Sequence, residues 1–552
     1  MRALRVCVLA AIASTAFAAQ TARPILGRIS FPTSGSPAAQ PSFLRGVLLL
    51  HSFEYDEAIA AFREAERVDI GFAMAYWGEA MCYNQTLWYN EQVGKARAAL
   101  SRLGPTAAAR AAKAATARER AYLDAVERLF GDGDKPSRDR AYADRMQALS
   151  AAYPADDEAG AFYALALLGT IPEGQPRPDV SLKAGTIASA ILKRNPEHPG
   201  AAHYALHAYD DGEHAALGLE AARIYAKIAP ASSHARHMPS HVFLPLGLWD
   251  EAAASDESAF RASVDSAKRR GLSAAQYDFH SLSWLQYEYL QQGRFGKARE
   301  LLTPVDEALR EGSMGPASTH QHGESEIGRG FDSTALKSER ASMRARMVVE
   351  SGDWTSMKGR SSFDNLDELF ALGLGSVHLH DLERADAAIE QLHTAAKTVP
   401  DRDARAVAEI MAIAVDGSAR LARHDRAGGL AALARAATLD AARPRPVARP
   451  YPIKPAGELY AEALLAEGDP RAAIKAFQAA LARTPNRAAA LLGLMRSARA
   501  AGLSEQAASA ARKFIAVWHA ADAGRPELAE ARRLANISAL NSRQFGRSLA
   551  GR

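Results

Sequence analysis

Two stretches far apart in this chain share one punctuation, and it fits little other than paired helices. Residues 46–65 read GVLLLHSFEYDEAIAAFREA, with Gly46 in the first half and Ala58, Phe62 and Ala65 at helical spacing in the second. The pattern returns at Ala473, Phe477, Ala480 and Pro485 in AIKAFQAALARTP. Looser copies follow the turns at Gly247-Leu248-Trp249-Asp250, Gly293-Arg294-Phe295 and Gly352-Asp353-Trp354, and two more run over 385–392 and 427–434. Ala473 and Ala507 are 34 residues apart, whereas Ala252 to Ala298 and Ala427 to Ala473 are each 46, so the array is irregular. A composition rich in Ala, Leu, Arg and Glu, with few β-branched runs, favours helix over strand.

This spacing resembles the tetratricopeptide repeat, and the resemblance implies an all-α superhelix of helical hairpins, an α-solenoid. In that family a glycine admits close helix approach, alanines sit where helices cross, and the aromatic fills the gap between hairpins. Longer phrases are more specific: Leu50-His51-Ser52-Phe53, Ala73-Met74-Ala75-Tyr76-Trp77-Gly78, HPGAAHYALHAYDD at 198–211 and SSHARHMPSHVFLPLGLWDEA at 232–252. They are similar to a bacterial family of exported tetratricopeptide proteins, which implies fold and localisation and leaves activity to the residues. We divide the chain into an extended arm at 19–41, an N-terminal lobe at 42–312, a Gly-rich loop at 313–330 and C-terminal repeats at 331–545. Further breaks fall at 132–136, 171–178 and the five-proline stretch 443–455.

Residues 1–18 carry the parts of a secretory signal: Arg2 and Arg5, an apolar run from Val6 to Phe17, and Ala16-Phe17-Ala18 as a small-x-small cleavage site. Cleavage after Ala18 predicts a periplasmic or secreted protein. The apolar run is too short to cross a bilayer, so no membrane span is expected. Cys7 departs with the signal and leaves Cys82 alone, without an internal disulfide. Net charge is +4, or about +2 without the signal, and that near balance argues against nucleic acid as a partner.

Six of the sixteen histidines, at 203, 207, 214, 234, 237 and 241, fall in one short stretch. On a helix His234, His237 and His241 lie within about 60° of one another, as do His203, His207 and Asp210. Aligning Ala252 on Ala58 puts 234–246 on the first helix of its hairpin, with 198–211 as the first helix before it. First helices line the concave groove in the resembling family, so both stripes are expected to face one groove, with His280 on the next first helix and Glu158 on an earlier one. Pro239 and Pro245 disturb this register: the helix either kinks at Pro239 or begins there. His203, His207, His234, His237 and His241 are therefore the candidate ligands of a divalent transition metal, namely zinc, copper or iron. Asp210, Asp211 and Glu158 are the candidate carboxylates for support or for general-base work. His214 falls off both stripes, at a helix start.

His320 and His322 with Glu324 could fold over the groove from the Gly-rich loop. His51, Trp77, Glu79, Asn84 and Trp88 could line its entrance, although Trp77 and Trp88 equally suit repeat packing. Arg344 and Arg346 read as anion ligands or as a solvated helix face. There is no phosphate-cradling glycine loop, Cys-x-x-Cys, HExxH or nucleophile elbow. Three functions stay open: a metal-binding interaction protein, a metal-dependent enzyme on the same site, and a metal-free scaffold holding a peptide or protein in its groove.

Overall fold

The computed structural model describes residues 25–311, 333–359 and 363–536. Within them the chain is all-α apart from a two-residue antiparallel pairing of Asn84–Gln85 with Asn90–Glu91. Helices pair through short turns into hairpins, and the hairpins stack along the chain into a tetratricopeptide-like superhelix with irregular repeats. The signal segment and the 313–330 loop, with His320 and His322, lie outside the described residues. Among the described residues no helix is long and apolar enough to cross a membrane.

The first hairpin shows how the spacing works. Gln40–His51 and Tyr55–Val68 bury Phe43, Gly46, Val47 and Leu50 against Ala58, Phe62 and Ala65. A Cβ on Gly46 would lie 2.6 Å from the Phe62 ring, and one on Gly78 of the next hairpin 2.2 Å from it. One phenylalanine thus fills the space that two glycines leave open. The same device closes the C-terminal end, where a Cβ on Gly493 would stand 2.1 Å from the Phe477 ring. The non-helical residues of the expected arm pack onto this hairpin, with Phe31 set edge-on to Phe43 and Trp77 at 5.3 and 5.6 Å between ring centroids.

One apolar core runs from Leu26 to Ala252, and a second spans 345–463. A third joins the middle of the chain to its end, packing Ala253, Leu285 and Phe295 against Leu491, Phe514 and Trp518. The Trp249 indole N–H donates to the Asn486 carbonyl at 2.9 Å, and Asn486 Nδ2 donates to the Gly247 carbonyl at 3.2 Å. Gly247 takes φ +66° there, and a Cβ on it would meet the Pro485 carbonyl oxygen at 2.1 Å. Beside this contact Arg487 is fully buried, bonded to Glu458 at 2.7 Å and Tyr287 at 3.0 Å and paired with Glu350. The proline-rich stretch lies against the middle of the chain too, through Arg449 on Ser283 and Glu339.

Candidate metal centre

Three consecutive first helices carry the histidines. His203 and His207 are on Pro199–Ala208, started by His198, whose Nδ1 accepts from the Ala201 N–H. His234, His237 and His241 are on the next first helix, broken into Ser233–His237 and Ser240–Phe243. Pro239 caps the second piece with φ −58° and its carbonyl accepts from the Val242 and Phe243 N–H groups, so the helix is interrupted and starts again there, with His234 and His237 on the short helix before it. His280 is on the first turn of Phe279–Gln291.

The structure groups these side chains as two triads. In the first, His203 Nε2 lies 2.8 Å from His234 Nε2 and 3.0 Å from His207 Nε2. His203 Nδ1 is 2.6 Å from the His51 carbonyl oxygen, which can only accept, so the ring proton is on Nδ1 and Nε2 is a bare lone pair. Phe53 covers the triad, its ring 4.3 Å from that of His203 and 5.8 Å from those of His207 and His234. Burial holds the His203 imidazole at about 3, well below the ordinary histidine range, so it stays neutral, as a metal ligand must. A cavity of about 280 Å³ borders His234.

In the second triad His237 Nε2 faces His241 Nε2 at 2.9 Å, and the two rings pack on His280 at 4.7 and 6.3 Å. Each of these two histidines rests its Nδ1 on a carboxylate: His237 on Asp256 Oδ1 at 2.5 Å, His241 on Asp210 Oδ2 at 2.8 Å. Carboxylate oxygens that accept from Nδ1–H leave both Nε2 atoms without protons and pointed at one another. Two lone pairs at that distance repel unless a cation stands between them. Asp256 is fully buried, and burial pushes it well above the carboxylate range although the hydrogen bond with the buried Glu288 pulls it down; Glu288 in turn is pushed up by burial and by the Asp256 charge. Asp256 Oδ1 remains the acceptor for His237. Trp284 stacks on His241 at 4.5 Å and closes the apolar side.

A third group, His51, Glu158 and His198, is fully buried and differs in kind. His198 Nδ1 accepts from the backbone, so its proton is on Nε2, 3.4 Å from Glu158 Oε1. His51 Nδ1 accepts from the Tyr204 hydroxyl at 2.9 Å, and its Nε2–H donates to Glu158 Oε2 at 2.7 Å. Burial alone would raise Glu158, but the two imidazoles bring it down to about 2. Both His51 nitrogens and His198 Nδ1 are hydrogen-bonded, and His198 Nε2 faces the Glu158 carboxylate as an ion pair.

The ligand atoms within each triad lie within 4.8 Å of one another. Three nitrogens on one tetrahedral zinc, at 2.0–2.1 Å each, stand about 3.4 Å apart, against 2.8 Å for His203–His234, 3.0 Å for His203–His207 and 2.9 Å for His237–His241.

Several expectations need correction. The five histidines do not form one set: they divide between two triads, and His280 completes the second. Asp210 is off the His203–His207 stripe, because the helix ends at Ala208 and the following turn carries Asp210 across to His241. Asp211 caps a turn, accepting from the Glu213 and His214 N–H groups and from His214 Nδ1 at 2.8 Å. Glu158 and His51 are buried behind the first triad, away from any entrance. Trp77 packs in the core against Tyr122 and Phe162, and Glu79 pairs with Arg63 and Arg102. Asn84 is buried, and Trp88 lies edge-on to Phe53 at 5.1 Å. Arg344 bonds Glu368, and Arg346 is no solvated face: it is buried, donates to Gln286 at 3.3 Å, and burial lowers it to about 10. His198 and Asp256 were absent from the sequence reading.

Fold and side chains together define the class, a tetratricopeptide-like helical array with buried histidine triads between successive first helices. No family model matches the chain, and no curated protein does. Three solved structures overlie most of its length at low similarity. The Cut9–Hcn1 hetero-tetramer of the APC/C is 11% identical over 91% of this chain and 97% of that one, with TM-score 0.29. The P58(IPK) TPR domain is 13% identical over 85% and 99%, with TM-score 0.20. Human IFIT1, solved as a dimer with m7Gppp-AAAA, is 13% identical over 89% and 92%, with TM-score 0.30.

Proposed function

We propose that this chain is an exported helical-hairpin scaffold that binds a late first-row transition metal at its histidine triads. The observation that carries the reading is the pair His237 and His241: both Nδ1 atoms are on carboxylates while their Nε2 atoms face each other at 2.9 Å. Support of a ligating imidazole through its second nitrogen is the usual companion of metal binding. Neutral nitrogen donors without thiolate suit zinc, copper or iron. In this reading the array serves binding and interaction, with a peptide or protein held along its groove.

The test is metal content by mass spectrometry of tag-free protein after incubation with zinc, copper or iron salts. A variant with His203, His207, His237 and His241 changed to alanine is the control. Metal in the wild type that is lost in a still-helical variant supports the reading, and a wild type that takes up none of the three ions refutes it. Export with cleavage after Ala18 is checked by the N-terminal mass of protein recovered from outside the cytoplasm.

A further inference from the structure

The two triads are built alike. His203 and His207 precede His237 and His241 by 34 residues each, the period of the repeat. In both triads an i, i+4 pair on one first helix is completed by a histidine from the following first helix, His234 in one case and His280 in the other. Both have Nδ1 support, from the His51 carbonyl in the first and from Asp256 and Asp210 in the second. Both have an aromatic wall, Phe53 and Trp284 respectively. The site therefore follows the symmetry of the array: one hairpin step carries the first triad onto the second.

We propose that the histidines form a tandem pair of mononuclear centres, one ion on His203, His207 and His234 and another on His237, His241 and His280, one hairpin apart. The proposal rests on the metal reading above and deepens it. Neighbouring helices stand roughly 8–10 Å apart, so ions set between successive first helices are further apart than the ~3.5–4 Å of a bridged two-metal pair. Each centre would have three imidazole nitrogens and a fourth position for water or another ligand, the arrangement of an open zinc site. Asp210 joins the two, leaving the end of the helix that bears the first triad to hold His241 of the second.

His207 and His280 are the half-buried members of their triads, so changing them disturbs packing least. Wild type, His207→Gln and His280→Gln, each loaded with zinc and dialysed against a weak chelator, should retain two, one and one ions per chain. With copper(II) the wild type should show two full, uncoupled spins by electron paramagnetic resonance. One ion in the wild type and none in either variant overturns the tandem in favour of a single shared centre, with metal binding intact. A spin-silent copper pair, or two ions that are lost together, overturns it in favour of a bridged pair. No ion in the wild type removes the metal reading itself. Circular dichroism checks folding; should either variant unfold, wild-type stoichiometry and spin count decide alone.

Discussion

His203 Nδ1 sits 2.6 Å from the backbone carbonyl oxygen of His51, a residue 152 positions earlier in the chain. His51 is the last residue of its helix, and its carbonyl is one of the acceptors that a helix end leaves open. The turn of the first hairpin thus fixes the tautomer of a histidine on the fifth, and the Phe53 ring from the same turn covers it. Behind them Glu158 holds the His51 ring by its Nε2.

The carboxylates that support the triads should matter nearly as much as the histidines. Asp210→Ala removes the acceptor for His241 Nδ1, and metal affinity should fall about 10–100-fold with helicity unchanged. Chelator competition measures it; an unchanged affinity would contradict the role given to Asp210.

Glu158→Ala deprives two buried imidazole N–H groups of their acceptor. Each stranded donor costs roughly 1–3 kcal/mol, so metal-free protein should unfold at clearly lower urea than wild type. Loss of stability without metal present separates this structural role from any part in binding.

Gly493→Ala forces a methyl group into the Phe477 ring and should destabilise by about 1–3 kcal/mol. Gly457→Ala is the matched control. It is also on a helix, meets nothing within 4 Å, and should stabilise by about 0.5–1 kcal/mol. Melting temperatures that move in opposite directions would bear out the packing argument.

Acid should weaken the C-terminal repeats through Glu458. Burial would raise this carboxyl, but Arg487 and Lys454 bring it down to about 2, against an ordinary 4.5. A depressed carboxylate stabilises the fold above its unfolded value and loses that contribution as pH falls from about 4.5 to 2. In wild type, denaturant midpoints should therefore fall across that window, and Glu458→Gln should flatten the fall while lowering stability at pH 7.

The hairpin array was legible because its punctuation is local: a glycine, an aromatic and alanines at helical spacing. Register followed, and it placed His280 on the next first helix. The partition into two triads was legible as well, in the 34-residue offset of His203 to His237 and His207 to His241, but angular stripes alone cannot show which neighbour completes each set. Asp256 left a signal too: it shares a face with Ala252 and Ala259, so a charged residue occupies a core position of the second helix. His198 was harder, since a histidine at a helix start is outranked there by Ser, Thr, Asp and Asn. Arg346 was misread because its partners, Gln286 and the buried groups around it, come from another hairpin.

The contact between Asn486 and the Gly247–Trp249 turn has a kinetic meaning. Solenoids ordinarily fold from any point outward, since each unit needs only its neighbours. Here residues 237 and 239 positions apart bond directly, and Arg487 reaches Tyr287 across 200. Closing such spans raises contact order, which slows folding and makes the ends of the array interdependent. Chains shortened by their last two hairpins should therefore lose cooperativity in the middle, next to the histidines, and not only at the cut.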